Sequence, residues 1–315
     1  MEKLIRGIHH ITAIASNPQR NVDFYTQVLG LRLVKKTINF DAPNVYHFYF
    51  GDEVGSPGTV LTFFPFDGAK RGRKGVGEMT YTAFSVAKDA LPYWRERLKG
   101  FGISISDTLE RFGDRLIRFE DHDGLGIELV ANETDSRKGW APESIPAGFA
   151  IKGFYGATLN LRAKDLTAEL LTNVLDYRLL AEDNGRFRYV VDEQPGEILD
   201  IVLNDPEGRS IQSAGTVHHI AFRTDNTDTQ SEMQHKLLDY GQQVTSVKDR
   251  NYFKSIYFRE PGGILFEVAT DGPGFAIDEE VAHLGEKLKL PDWALPQKDL
   301  IERQLPEVKL NYKIG

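Results

Sequence analysis

Two stretches of this chain repeat one another. "LIRFEDHDGLGIELVA" at 116–131 lies over "SIYFREPGGILFEVAT" at 255–270, an offset of 139 residues. In each, a phenylalanine (Phe119, Phe258) precedes a turn, and a glutamate (Glu128, Glu267) follows nine residues after it. Asp-Gly and Pro-Gly supply the reversal, and the flanking runs are β-branched and aromatic, as strands require. An internal repeat limits the fold strongly, because every copy must form the same supersecondary unit.

The repeat extends backwards. Gly102 falls over Gly241, each closing an amphipathic helix candidate, "DALPYWRERLKGFG" and "SEMQHKLLDYGQQV". At an offset of 138, Tyr81 of "MTYTAFSV" meets His219 of "VHHIAFRT". The remaining segments match each other: residues 7–34 lie over 153–180 at a constant offset of 146. The chain therefore reads as strand, helix and several strands, four times over, at 6–66, 77–132, 152–205 and 215–271. The polar segment 132–150, with its Pro and Gly, is read as an interdomain linker. This divides the chain into 1–145, 146–271 and a tail, 272–315, in which "DEEVAHLGEKLKL" is expected to be helical.

Composition narrows the chemistry. The 315 residues carry a net charge of −8 and contain no cysteine. Nucleic acid is thus not an expected partner, and thiolate metal sites, disulfides and cysteine nucleophiles are excluded. The basic run "AKRGRKG" (69–75) is expected to be a solvated loop. The first residues show no apolar h-region and no apolar run nears 18 residues, so a cytoplasmic location without a membrane span is expected.

Four of the eight histidines stand in two adjacent pairs, His9–His10 and His218–His219, inside strand-like runs. Strict alternation would place His10 with Thr12 on one face and His9 with Ile11 on the other, and would likewise separate His219 from His218. A glutamate between Phe266 and Val268 would bear a heavy desolvation cost without a cation. Glu128, in the same motif, is expected to form an ion pair with a nearby arginine. His47, His122, His235 and His283 are placed in loops or on helix surfaces, with structural roles.

Four βαβββ units resemble the vicinal oxygen chelate superfamily. The resemblance implies an α+β fold of two domains, whose modules form open, curled mixed sheets around a metal. Each unit of that superfamily offers two ligand positions on the concave side. They fall on His10 and Thr62 in unit one, Tyr81 and Glu128 in unit two, Gly156 and Asp200 in unit three, and His219 and Glu267 in unit four. The implied metal ligands are His10, His219 and Glu267, with Thr62 a non-ligand. Two histidines and one carboxylate suit non-haem Fe²⁺, with Mn²⁺ open as an alternative. Units two and three are expected to hold no metal and to serve as a structural relic or a dimer contact.

The segment "VKDRNYFKSIYFREPGGILFEVATDGPGF" (247–275) and the early "HHIT" with late "HHIAF" are similar to those of the hydroquinone ring-cleaving dioxygenases. That likeness implies an aromatic substrate and O₂ as partners. It also carries further site positions onto His9, Thr12, His218, Arg250 and Tyr257. His9 or His218 would accept a substrate proton, and Arg250 or Tyr257 would hold a substrate oxygen. Two other classes stay open: a glyoxalase-like isomerase, which would need a fourth ligand, and a non-enzymatic small-molecule binder.

Overall fold

The computed structural model describes residues 3–203 and 208–310. Residues at the end of the third repeat span and of the tail lie outside that range. Four βαβββ modules are present. The first comprises β1 (Ile8–Ala15), α1 (Pro18–Asp23), β2 (Arg32–Asn39), β3 (Ala42–Gly51) and β4 (Val60–Pro65). The second has β5 (Glu78–Ala87), α2 (Leu91–Gly100), β6 (Leu109–Arg111), β7 (Asp114–Glu120) and β8 (Gly126–Asn132). The third has β9 (Gly153–Leu161), α3 (Asp165–Asn173), β10 (Arg178–Asp183), β11 (Arg186–Val190) and β12 (Ile198–Leu203). The fourth has β13 (Val217–Thr224), α4 (Thr227–Asp239), β14 (Lys248–Asp249), β15 (Lys254–Arg259) and β16 (Leu265–Thr270).

The strands form two eight-stranded mixed sheets. One runs β14-β15-β16-β13-β1-β4-β3-β2 and the other β10-β11-β12-β9-β5-β8-β7-β6. Module one thus pairs with module four, and module two with module three. Within each module the first strand is parallel to the last, and the two modules of a sheet join antiparallel, β1 to β13 and β5 to β9. The helices follow local rules. Asn226 and Thr229 form a capping box on α4, which buries Gln230, Met233 and Leu237 along one stripe. Gly102 and Gly241, past the ends of α2 and α4, have φ of 72° and 92°, the left-handed geometry a helix C-terminus favours.

The basic run at 69–75 is more than a loop. Its side chains are largely exposed, but its backbone pairs with the segment joining modules three and four, through Arg71–Ala214 and Arg73–Ile211 bridges. The tail also departs from expectation. "DEEVAHLGEKLKL" contains a single 3₁₀ turn, Val281–His283, and the helix comes later, at α5 (Lys298–Gln304). The physical cause lies in β2. The buried Arg32 guanidinium donates to the carbonyls of Glu53, Val281 and Ala282 at 2.6, 2.7 and 3.1 Å. The fully buried Lys35 ammonium binds Asp278 at 2.6 Å and Glu279. A continuous helix would have consumed those carbonyls, so the tail lies across β2 as an extended strap. No helix among the described residues is long and apolar enough to cross a membrane.

Candidate metal centre

The junction of β1 and β13 contains two β-bulges. Ile8 pairs with Phe222 and His10 with Ala221, which leaves His9 as the extra residue on β1. Thr12 pairs with His219 and Ala13 with Val217, which leaves His218 as the extra residue on β13. A bulge re-aims a side chain that alternation would send to the far face. The expected separation of the outer histidines from their neighbours is therefore corrected. His9 Nδ1 lies 2.9 Å from His10 Nδ1, and His218 Nδ1 lies 2.8 Å from His219 Nδ1.

Each contact joins two ring nitrogens, so one of them donates and the other accepts. The Thr270 backbone also interacts with the His9 ring. Burial, with His10 beside it, holds His9 well below the ordinary histidine value, so it is neutral. With His10 Nδ1 turned toward His9, its Nε2 is the atom turned toward His219 and Glu267. That atom lies 3.2 Å from His219 Nε2 and 3.4 Å from Glu267 Oε2. The His219 Nε2 to Glu267 Oε2 distance is 2.9 Å.

Glu267 is completely buried. Ser255 Oγ donates to its Oε1, whereas Oε2 makes no hydrogen bond. Burial would raise this carboxyl, but His10 and His219 beside it hold it well below the usual carboxylate range. A buried carboxylate oxygen facing two ring nitrogens calls for positive charge at that point, which a bound cation would supply. Three donor atoms 2.9–3.4 Å apart could all be reached by one ion with bonds of roughly 2.1 Å to its ligands. Among the described residues, these three form the group of histidine and acidic side chains that could hold an ion. The residues present therefore fit a divalent metal.

A cavity opens on His10 and His219. His218, Arg250 and Tyr257 line it, as do Phe64 and Phe253 and the β2–β3 turn at Asn39–Asp41. Arg250 Nε donates to Tyr257 Oη at 3.1 Å, and its guanidinium stacks over that ring. Burial and the Glu267 charge push the Tyr257 phenol up, so it keeps its proton. Thr12 does not reach the cavity wall. It is buried behind it, its Oγ1 2.7 Å from Thr62 Oγ1.

His47 is where sequence reasoning went wrong. It stands on β3, not on a loop or helix surface, and lines the cavity with Tyr49. Its Nδ1 lies 2.8 Å from Tyr49 Oη and its Nε2 2.8 Å from Thr62 Oγ1. The signal was in "NVYHFYF": Tyr46, Phe48 and Phe50 alternate into the core, which turns His47 and Tyr49 to the other face. His122 is a turn residue beside Asp123, while His235 and His283 are exposed.

The other sheet fills the matching positions differently. Glu128 takes Arg111 at 2.6 and 3.1 Å and Arg118 at 2.7 and 3.1 Å. Asp200 takes Arg188 at 2.8 and 3.1 Å and Arg186 at 3.1 Å.

Comparison with known proteins follows the same lines. The family model for the Glyoxalase/Bleomycin resistance protein/Dioxygenase superfamily matches residues 7–129 and 149–268. The "Putative ring-cleaving dioxygenase MhqO" of Bacillus subtilis (strain 168) is 46% identical over 305 residues, covering 97% of each chain. The chlorohydroquinone/hydroquinone 1,2-dioxygenase of Sphingobium indicum is 33% identical over 309 residues, covering 96% of each. The crystal structure of a "putative dioxygenase" from Bacillus subtilis superposes with a TM-score of 0.95 at 44% identity, over 99% of this chain and 100% of the other. Glyoxalase I of Zea mays shares the fold at 15% identity and a TM-score of 0.61, over 84% and 92%. The chain belongs to the Glyoxalase/Bleomycin resistance protein/Dioxygenase superfamily, in the company of relatives named as ring-cleaving dioxygenases.

Proposed function

We propose that this protein is an Fe²⁺-dependent dioxygenase that opens hydroquinone-type aromatic rings and incorporates both atoms of O₂. The observation that carries the reading is the three-ligand set, His10, His219 and Glu267, at the floor of an aromatic-walled cavity. Three protein ligands leave room for substrate and dioxygen together. The chemistry a ferrous ion supplies there is Lewis acidity toward a phenol and one-electron exchange with oxygen.

The chain's own residues do the rest. Phe64 and Phe253 flank the ring and exclude water. Tyr257, protonated and braced by Arg250, donates to an oxygen bound near His219, whose ring lies 5.9 Å from its own. Of the two outer histidines, His9 is tied to Thr270, whereas His218 is half-buried and lines the cavity. Burial, with His219 beside it, pushes His218 down to about 3, so it is a neutral imidazole placed to hydrogen-bond a substrate hydroxyl, and His9 is the one that orients His10.

A glyoxalase-type isomerase would need a fourth ligand. The position available for it holds Thr62, bonded to Thr12 and His47, which supports the oxygenase reading. A non-enzymatic binder has no need of the complete ligand set. The test is oxygen uptake by protein loaded anaerobically with Fe²⁺, using hydroquinone, with ¹⁸O₂ to follow both atoms into product. Uptake should vanish in His219→Ala. No uptake with any of several alkyl- and chlorohydroquinones or catechols would rule the reading out.

A further inference from the structure

The cavity has a second polar end. β3 lies two strands from β1 in the sheet order, about 10 Å at ordinary strand spacing. His47 and Tyr49 project from it into the same cavity that His10 and His219 floor. The His47 ring is held between Tyr49, with centroids 4.0 Å apart, and Phe64, at 4.4 Å. Both of its nitrogens are engaged by hydroxyl groups.

The direction of that chain follows from acidity. Burial lowers His47 well below the ordinary histidine value, so it is neutral and has one N–H. Phenol is the stronger acid of the pair and imidazole the stronger base, so Tyr49 donates to His47 Nδ1. His47 Nε2–H then donates to Thr62 Oγ1, and Thr62 donates on to Thr12. With its proton committed, the Tyr49 oxygen faces the cavity as an acceptor.

We propose that Tyr49, oriented by His47, accepts a hydrogen bond from the ring hydroxyl at the end of the substrate remote from the metal. It would thereby select para-dihydroxy rings over rings that lack a distal O–H. This rests on the ring-cleavage reading and adds its specificity determinant. Catechols present both hydroxyls at one end and leave Tyr49 unpaired, and a buried acceptor left without its donor disfavours them.

The test compares hydroquinone with 4-methoxyphenol, which keeps the distal oxygen but cannot donate from it. Equilibrium binding is measured anaerobically on Fe²⁺-loaded protein, alongside KM and kcat for oxygen uptake with hydroquinone. The wild type should prefer hydroquinone by about tenfold, the worth of one such bond. Tyr49→Phe, which keeps the ring packing, should bring the two ligands to near parity by weakening hydroquinone and raising its KM. His47→Phe should narrow the gap from the other side: Tyr49, freed to donate, binds the ether oxygen more tightly. An active Tyr49→Phe enzyme with the wild-type preference overturns the assignment of Tyr49 alone. A wild-type protein that neither binds nor oxidises any para-diol overturns the functional reading and the proposal with it.

Discussion

Glu128 and Glu267 stand on equivalent strands in the same register. Ala83 and Arg118 flank the first, Ala221 and Tyr257 the second. The correspondence continues across both sheets. His219 matches Tyr81, His10 matches Gly156, and Thr62 matches Asp200; even the bulges recur, with Thr80 and Tyr155 in the places of His218 and His9. His47 and Tyr49 match Arg186 and Arg188. What differs is the source of positive charge. Around Glu128 and Asp200 the chain supplies it, through four guanidinium groups at hydrogen-bonding distance. Around Glu267 it supplies imidazoles and a phenol, and one carboxylate oxygen makes no hydrogen bond. The same scaffold closes one concavity with its own side chains and shapes the other for an ion.

That contrast is broken most directly at the two glutamates. Glu128→Gln takes the carboxylate from Arg118 and leaves Arg111 only Asp200, at 3.4 Å, and removing one partner of a buried pair costs about 3–5 kcal/mol. Urea melts should show that loss with no change in metal content. Glu267→Gln should do the reverse. Metal affinity, read by chelator competition, should fall by more than about 100-fold, beyond the effect of losing a mere supporting contact. The metal-free variant should be no less stable than wild type, since a buried charge without a cation has been removed. Equal effects of the two substitutions on stability and on metal would abolish the distinction.

Much of this was legible in the sequence, because repeats expose register. Offsets of 138, 139 and 146 align the candidate ligand positions, and Glu128, in the same motif as Glu267, does pair with arginines as expected. The bulges were not legible. They are a property of two strands pairing, and alternation along one strand contains no information about an extra residue opposite none. The strap at 278–290 was missed for a similar reason: its helical periodicity was overruled by Arg32 and Lys35 on a strand some 250 residues away.

Gly156 sharpens the comparison at lower cost. A Cβ there would meet the Ile198 carbonyl oxygen at 2.5 Å and the Ile198 Cβ at 2.9 Å. The position that carries His10 in the first sheet thus admits no side chain in the second without displacing β12. Gly156→Ala should destabilise by about 2 kcal/mol through overpacking, measured by denaturant midpoint. A neutral effect would mean that β12 yields readily and that the absence of a ligand at this position is not steric.

The smallest effect separates the sheets by pH. His47 is depressed by burial below its unfolded value of 6.5, so the unfolded chain takes up the proton first. Its contribution to stability is complete above pH 6.5 and is lost as pH falls below that value. For Glu128, burial opposes ionisation, but Arg111 and Arg118 prevail and hold it below 4.5. Its contribution is complete above pH 4.5 and is lost as pH falls through the lowered folded value. In metal-free protein, amide exchange in β3 should therefore quicken in a milder acid window than exchange in β8. His47→Phe should remove about 1 kcal/mol of the wild-type stability change between about pH 7 and pH 5.5. The Phe variant and wild type would lose stability in parallel across that window only if His47 were protonated in the folded state, and the Tyr49-to-Thr12 hydrogen-bond chain would then have to run the other way.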